Sequence, residues 1–169
     1  MRTNLWVKTI LYVYKYLDSL AEAIDKLVER QALNSFYYYS GLSEDNGVMA
    51  VSERIINLID RKKRLINIKV LTDKSLENCD SEYAQILIER YIDNDKSEEI
   101  AFRHGYAMRT YFRKLSQAEE QCASKMSQMG FTSEKLEKYL AGEKWITEIY
   151  QAFSSKEIDK KDFLEIEKD

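Results

Sequence analysis

Residues 81–121, SEYAQILIERYIDNDKSEEIAFRHGYAMRTYFRKLSQAEEQ, form the stretch that decides the fold. Apolar residues recur here at helical spacing in three runs, which are separated by a polar turn and by a glycine. Each run has one face to bury, so the stretch predicts three short helices that pack on one another. The inward positions are Tyr83, Ile86, Leu87 and Tyr91 in the first run, Ile100 and Ala101 in the second, and Tyr111, Leu115 and Ala118 in the third.

Gly105 marks the sharpest corner of this stretch. Glycine takes a left-handed backbone conformation without a steric penalty, and it often does so just after the end of a helix. The small Ala101 allows the helices on either side of the corner to approach closely. We therefore predict a trihelical helix-turn-helix unit within residues 79–122, whose third helix begins near Ala107 or Met108.

The third helix has an outward face that remains once its inward positions are assigned. In a helix-turn-helix that binds DNA, this helix lies in the major groove. Arginine matches a guanine edge or a phosphate through its two-pronged donor group, so Arg109 and Arg113, one turn apart, are the principal candidates. Lys96 and Arg103 are better placed for backbone phosphates. The full predicted DNA-binding set is Lys96, Arg103, Met108, Arg109, Thr110, Phe112, Arg113, Ser116 and Gln117.

Two alternatives remain open for this unit. The three helices could form a plain bundle in which the glycine only ends a helix. Phe112 could touch a thymine methyl group, or it could pack on another part of the chain and cover the DNA-binding face.

The first 78 residues carry two apolar stripes of similar length. Within residues 10–27, apolar residues recur at alternating spacings of three and four. A second stripe runs through Val51, Ile55, Leu58 or Ile59, Lys62, Leu65, Ile66 and Val70. A polar segment with two glycines lies between the stripes. Residues 1–78 therefore predict a helical arm, a long antiparallel hairpin that resembles a coiled coil.

Residues 123–169 predict a C-terminal helical segment with an acidic tail. An apolar face passes through Leu136 and Leu140 and continues through Trp145, Ile146 and Ile149, while acidic residues outnumber lysines from Ser155 onward. A face this apolar needs a partner, and we expect it to pack on the trihelical unit, on the arm or on a second subunit.

Composition supports an all-α protein. The chain has no proline, only five glycines, 33% charged and 44% hydrophobic residues, so helix breakers are scarce. Its net charge of −3 excludes a uniformly basic nucleic-acid protein, so DNA contact depends on a local basic face. The N-terminal apolar stretch is interrupted by charged residues and is too polar to span a membrane, so we predict a cytoplasmic protein without membrane contact.

Residue types that support catalysis or metal binding are sparse. Cys79 and Cys122 stand apart in the sequence, with no CxxC spacing, and His104 is the one histidine. That is too few ligands for a zinc site, and it does not suggest a disulfide framework. No nucleophile with a base and no phosphate-binding glycine loop is present. We therefore predict no enzyme, no catalytic residues, no metal and no cofactor.

The trihelical stretch resembles a known family. The residues that carry the likeness are LIERY at 87–91, Glu99 to Ala101, Gly105 with Tyr106, and Arg109 with Thr110. They resemble sigma-factor region 4 and, still more, the phage regulators of the ArpU type, in which a helical N-terminal arm precedes such a unit. The resemblance implies a small bacterial or phage transcriptional regulator whose third helix lies in the major groove near a promoter.

This chain departs from the family pattern at two positions. Ala107 stands where a capping residue is usual, and Phe112 stands where a polar or basic side chain is common. No region resembles the part of a complete sigma factor that binds core RNA polymerase, which argues against autonomous sigma activity.

The sequence thus predicts a sequence-specific DNA-binding transcriptional regulator of bacterial or phage type. Double-stranded DNA is the expected partner, and RNA polymerase and a second copy of the chain are candidate partners. The alternative is a non-catalytic helical interaction or scaffold protein, in which the trihelical unit only folds.

Overall fold

In the computed structural model, the backbone is described for residues 2–39 and 45–166, and side chains for residues 5–35, 47 and 49–155. Within these ranges every regular element is helical, which confirms the all-α prediction. The predicted hairpin turn falls partly on residues 40–44, which lie outside what is described. The acidic tail falls almost wholly beyond residue 155, where the backbone is described as far as residue 166 but the side chains are not. The helices are α1 (Arg2–Tyr39), α2 (Asp45–Glu77), α3 (Ser81–Leu87), α4 (Ser97–His104), α5 (Met108–Gln128), α6 (Ser133–Leu140) and α7 (Lys144–Ile166).

The chain divides into two compact units. One consists of residues 16–70, and the other of residues 1–15 together with residues 71–169. The predicted boundaries at 78 and 122 both fall within the second unit. No described helix is long and apolar enough to cross a membrane.

In the first unit, ion pairs connect α1 to α2. Asp18 lies 2.5 Å from Lys69 and Asp25 lies 2.6 Å from Lys62, measured from carboxylate oxygen to Nζ. A step of seven residues forward along α1 is matched by seven residues backward along α2, so these segments run antiparallel. Leu65 is buried between such pairs. Because all four charges are solvent-accessible, each ion pair adds little stability.

The apolar residues of α2 lie on two faces rather than one. The residues near the ion pairs, such as Leu58 and Leu65, are half-buried or buried, so Leu58 rather than Ile59 belongs to the inner stripe. Ile66 and Val70, which the sequence places in that same stripe, are exposed instead. They belong to what we call the outer stripe of α2, which consists of Met49, Ile56, Ile59, Ile66 and Val70.

In the second unit, α7 packs on the beginning of α1. The Trp6 ring stacks on Tyr150 with centroids 4.3 Å apart, and Tyr12 meets Phe153 edge-on at 5.8 Å. Aromatic pairs in these geometries add to the free energy gained by burying the rings. The sequence left the trihelical unit, the arm and a second subunit as sites for the C-terminal segment. In the structure, α7 contacts the N-terminal part of the predicted arm.

The buried carboxylate of Glu119 connects α1, α5 and the residues that follow α3. The Tyr91 hydroxyl donates to Glu119 Oε1 at 2.5 Å, and Lys8 Nζ lies 3.5 Å from Glu119 Oε2. Burial, followed by the charge of Glu119, raises the pKa of Tyr91, so this hydroxyl stays a donor. A buried carboxylate is tolerated here because both of its oxygens have partners.

The trihelical stretch has the inner faces that the sequence predicts. Both α3 and α4 contact α5, and the buried side chains include Ile86, Leu87, Ile100, Ala101, Tyr111, Leu115 and Ala118. Between α3 and α4, residues Ile88–Ile92 form a π-helical turn, in which Asp93 N–H donates to the Ile88 carbonyl at 2.9 Å. This turn was not predicted.

The corner between α4 and α5 is set by the backbone of Gly105, which has φ 71° and ψ 28°. Tyr106 N–H donates to the Ala101 carbonyl at 2.8 Å and Gly105 N–H to the Phe102 carbonyl at 3.1 Å. This pair of bonds is the Schellman arrangement that ends a helix with a left-handed residue. The prediction that the chain turns at Gly105 and starts a helix near Met108 is confirmed.

Candidate nucleic-acid interface

The outer face of α5 gathers most of the predicted DNA-binding residues. By outer face we mean the positions away from the buried Tyr111 and Leu115. Its exposed members are Arg109, Phe112, Arg113, Ser116 and Gln117, and its half-buried members are Met108 and Thr110. Of the positions that helical periodicity placed outward, Arg109, Phe112, Arg113 and Ser116 are exposed and Met108 is half-buried.

Arg109 and Arg113 lie four residues apart, so their side chains project from neighbouring positions on the same side of α5. Both are exposed, and within the described residues neither guanidinium has a hydrogen bond or an ion pair. The first three turns of α5 contain no carboxylate; the helix's acidic residues begin at Glu119. This part of the surface therefore has a local positive charge on a chain of net charge −3.

Phe112 lies on the same outer face as the two arginines, which stay exposed beside it. Its side chain is 52% exposed, and its ring meets the adjacent Tyr111 edge-on with centroids 5.2 Å apart. A phenylalanine that packed on a distant helix would lose most of its exposed surface. The sequence alone allowed this ring to stay on the outer face or to pack on another part of the chain, and in the structure it stays on the outer face.

The first amides of α4 and the first amides of α5 both lack side-chain caps. Ala107 precedes α5 and Lys96 precedes α4, and neither donates or accepts a capping hydrogen bond through its side chain. The free N–H groups and the helix dipole make such ends favourable for an anion. The Lys96 side chain is exposed and without an ion pair among the described residues.

Arg103 is engaged by the protein itself. One guanidinium nitrogen donates to Glu89 Oε1 at 2.9 Å and to Asp95 Oδ2 at 3.0 Å. These bonds, that to Glu89 first, raise the pKa of Arg103. A phosphate would have to compete with two carboxylates, so the arrangement disfavours the predicted role of Arg103 as a phosphate ligand.

Glu89 is a buried carboxylate that sequence reasoning missed. It is 6% exposed, and besides Arg103 it contacts His104 Nε2 at 2.7 Å and Gln85 Nε2 at 3.3 Å. Burial by itself would raise the pKa of Glu89, but the hydrogen bonds from His104 and Arg103 outweigh it and hold the pKa below its usual range. The contact fixes the π-helical turn against α4.

A second cluster joins α3, the corner and α5. Lys114 Nζ lies 2.7 Å from Glu82 Oε1, which also accepts a hydrogen bond from the Tyr106 hydroxyl, and Lys114 Nζ is 5.0 Å from the centre of the Tyr106 ring. The bonds from Lys114 and then Tyr106 lower the pKa of Glu82. Gln117 is also tied to α3, because its Oε1 accepts from the Tyr83 hydroxyl at 3.2 Å.

The two cysteines, distant in sequence, meet where α3 begins beside α5. Asp80 N–H donates to Gln121 Oε1 at 2.8 Å, and Gln121 Nε2 donates back to Asp80 Oδ2 at 2.9 Å, which holds the preceding Cys79 beside Cys122. A hydrogen bond with Cys122 lowers the pKa of Cys79, and the same bond, together with burial, raises the pKa of Cys122. The two cysteines do not form a disulfide with each other.

Among the residues whose side chains are described, no three histidines, cysteines or carboxylates come together as a metal site. No protein-family model, curated protein or solved structure matches this chain.

Proposed function

We propose that this protein is a sequence-specific DNA-binding transcriptional regulator of bacterial or phage type, in which α5 of a helix-turn-helix lies in the major groove. The observation that supports this most directly is the pair Arg109 and Arg113. Their guanidinium groups are exposed, unpaired among the described residues, one turn apart and far along the helix from any carboxylate.

Each guanidinium can donate two parallel hydrogen bonds to O6 and N7 of a guanine, or to a phosphate. Phe112, on the same face, offers an apolar contact for a thymine methyl group. Met108, Thr110 and Ser116 lie on or beside the same face and complete the surface that would meet base edges.

Backbone phosphates would be held at two helix starts. The uncapped amides at the start of α5 supply donors beside the corner, and the uncapped amides at the start of α4, with the exposed Lys96, supply donors and positive charge at the other end of α4. Arg103 and Lys114 contribute less, because Glu89, Asp95 and Glu82 already neutralise them.

The remaining partners follow from the resemblance to sigma-factor region 4 and to the ArpU-type regulators. RNA polymerase is a candidate partner, and a homodimer that spans two half-sites is the usual form of such proteins. A cytoplasmic location goes with a DNA target of this kind.

A non-catalytic interaction or scaffold protein is the second candidate. The observation that favours it is Phe102 on α4, whose side chain is 89% exposed. With the acidic net charge, this ring suits a protein partner better than a phosphate backbone.

Selection from a random duplex pool, followed by binding measurements on the enriched sequence, tests the proposal. We expect Arg109→Ala/Arg113→Ala to weaken binding at least about tenfold, since each good bidentate contact to a base contributes ~1–3 kcal/mol of discrimination. The matched control is Arg30→Ala/Arg54→Ala, which removes two exposed arginines from α1 and α2 and should change affinity about twofold at most, as remote surface substitutions do.

The proposal is wrong if the wild-type chain binds no duplex in a salt-dependent way, or if both double variants bind equally well. Loss of a protein partner on Phe102→Ser, without any DNA binding by the wild type, would favour the scaffold function instead.

A further inference from the structure

The outer stripe of α2 is an unusually apolar surface. Its five side chains range from 39% exposed at Ile59 to 66% exposed at Met49, although all are large and apolar. Scattered apolar side chains are normal on a protein surface, but five of them along one face of a single helix indicate an interaction site.

The row has the seven-residue repeat of a coiled-coil seam. The first core position of the repeat is occupied at 49, 56, 63 and 70, and these residues are apolar except Lys63. The second core position is occupied at 52, 59 and 66, and these residues are apolar except Ser52. Residues 49–70 span about 32 Å at a rise of ~1.5 Å per residue, which is long enough for a specific helix pair. This face differs from the one that α1 uses, where Lys62 and Lys69 form their ion pairs.

We propose that the outer stripe of α2 binds the outer stripe of a second copy of this chain in the antiparallel direction. One register brings the core positions of the central part of the seam opposite one another. It places Ile56 against Ile59 of the second copy, Met49 against its Ile66 and Ser52 against its Lys63. A two-fold axis between residues 57 and 58 generates the same contacts twice, as an isologous interface requires.

Charge along α2 selects this direction and this occupant. Residues 45–60 of α2 carry three acidic residues, Asp45, Glu53 and Asp60, and one basic residue, Arg54. Residues 61–77 carry six basic residues, at positions 61–64, 69 and 74, and two acidic ones, Asp73 and Glu77, so the first half is acidic and the second half basic. In the antiparallel register, Lys63 lies beside Glu53 of the second copy. A parallel pair would place Lys63 against Lys63 within the apolar seam, where like charges repel. Glu53 and Lys63 are both exposed and have no ion pair among the described residues.

The first test is the mass of the full-length chain in solution, measured by sedimentation equilibrium over a range of concentrations. We expect a reversible dimer of twice the 20.0 kDa chain mass. Ile56→Lys, which brings two new charges to the centre of the seam, should raise the dimer dissociation constant about tenfold or more while leaving helical content unchanged. The matched control is Leu33→Lys, which changes an exposed apolar residue of α1 and should leave the dissociation constant unchanged.

A charge exchange tests the direction. Glu53→Lys and Lys63→Glu should each weaken the dimer, and the double variant should restore it, because the pair is re-formed with reversed polarity. The inference is overturned if the wild type remains monomeric at every concentration, if Ile56→Lys dimerises as tightly as the wild type, or if the double variant is weaker than both single variants. None of these measurements involves DNA, so they stand apart from the proposed function.

Discussion

His104 Nε2 lies 2.7 Å from Glu89 Oε2, and this contact closes α4 over a carboxylate buried in the trihelical unit. Arg103 holds the other oxygen of the same carboxylate. Two consecutive residues of α4 therefore bind one acid on the preceding π-helical turn, and the geometry of the corner depends on that acid.

Replacing the buried acid should destabilise the protein. Glu89→Ala leaves His104 and Arg103 without their shared partner, and we expect a loss of about 2 kcal/mol, less than for a fully buried pair because Arg103 is half-exposed. Chemical denaturation followed by circular dichroism measures it. Glu98→Ala, an exposed acid in the first turn of α4, should cost less than about 0.5 kcal/mol. Equal midpoints for the two variants would contradict this role of Glu89.

Stability should fall in acid. The pKa of Glu89 is held below its ordinary value of 4.5, so the unfolded chain takes up the proton first as the pH falls. The stabilisation from this group is complete above pH 4.5 and is lost as the pH falls through the lower folded-state pKa. The free energy of unfolding, measured between about pH 7 and pH 3, should decline more steeply for the wild type than for Glu89→Gln. Parallel curves for the two proteins would exclude Glu89 as the source.

Substitutions at Gly105 should separate backbone strain from crowding. A Cβ added at this residue would meet nothing within 4 Å, but the φ of 71° is unfavourable for most side chains. We expect Gly105→Ala to cost about 1–2 kcal/mol and Gly105→Asn to cost less, because asparagine tolerates the left-handed region. Thermal denaturation of the two variants measures the difference. A larger loss for asparagine than for alanine would mean that space, not backbone conformation, limits the corner.

Phe112 offers a test that acts on the DNA rather than on the protein. If its exposed ring contacts a thymine methyl group, replacing that thymine by deoxyuridine should weaken wild-type binding about fourfold, the value of one buried methyl group at ~0.8 kcal/mol. Phe112→Ala should bind both duplexes equally. Ser116→Ala is the control, and it should keep the preference for thymine. An unchanged thymine preference in Phe112→Ala would show that the ring does not contact the methyl group.

The two thiols should differ in reactivity. Cys79 is half-exposed and its pKa is lowered by Cys122, whereas Cys122 is buried and its pKa is raised. A short pulse of iodoacetamide on the folded protein, followed by mass spectrometry, should label Cys79 well before Cys122, because the thiolate is the reacting form. In Cys79→Ser the fast labelling should disappear. Equal rates at both positions in the folded state would refute the assigned environments.

Helical periodicity was enough to predict the features that depend on one helix at a time. The inward positions of α5, its exposed arginines and the corner at Gly105 each follow from spacing and from the backbone preference of glycine. Those features account for most of the candidate interface.

The features that were missed depend on register or on contacts between distant segments. The π-helical turn shifts the direction of the side chains by one residue, and an α-helical pattern does not place Glu89 inside. In α2, apolar residues on two faces merge into one apparent stripe, so Ile66 and Val70 were placed with Leu65. The proximity of Cys79 and Cys122 depends on how α3 packs against α5.

Arg103 and Lys114 each form ion pairs with carboxylates of the same chain, and this would also limit how long the protein stays bound to a DNA sequence that is not its target. With those two cations neutralised by carboxylates, α5 would bring two unpaired guanidinium groups to the duplex. If both contacted phosphates, the dependence of affinity on salt from this helix would have a slope of about −2, that is ~0.9 for each neutralised phosphate. Because the sequence-independent part of the affinity would be weak, the protein would dissociate quickly from random sequences. A protein of this kind would search DNA by frequent dissociation, and only a matching site would retain it.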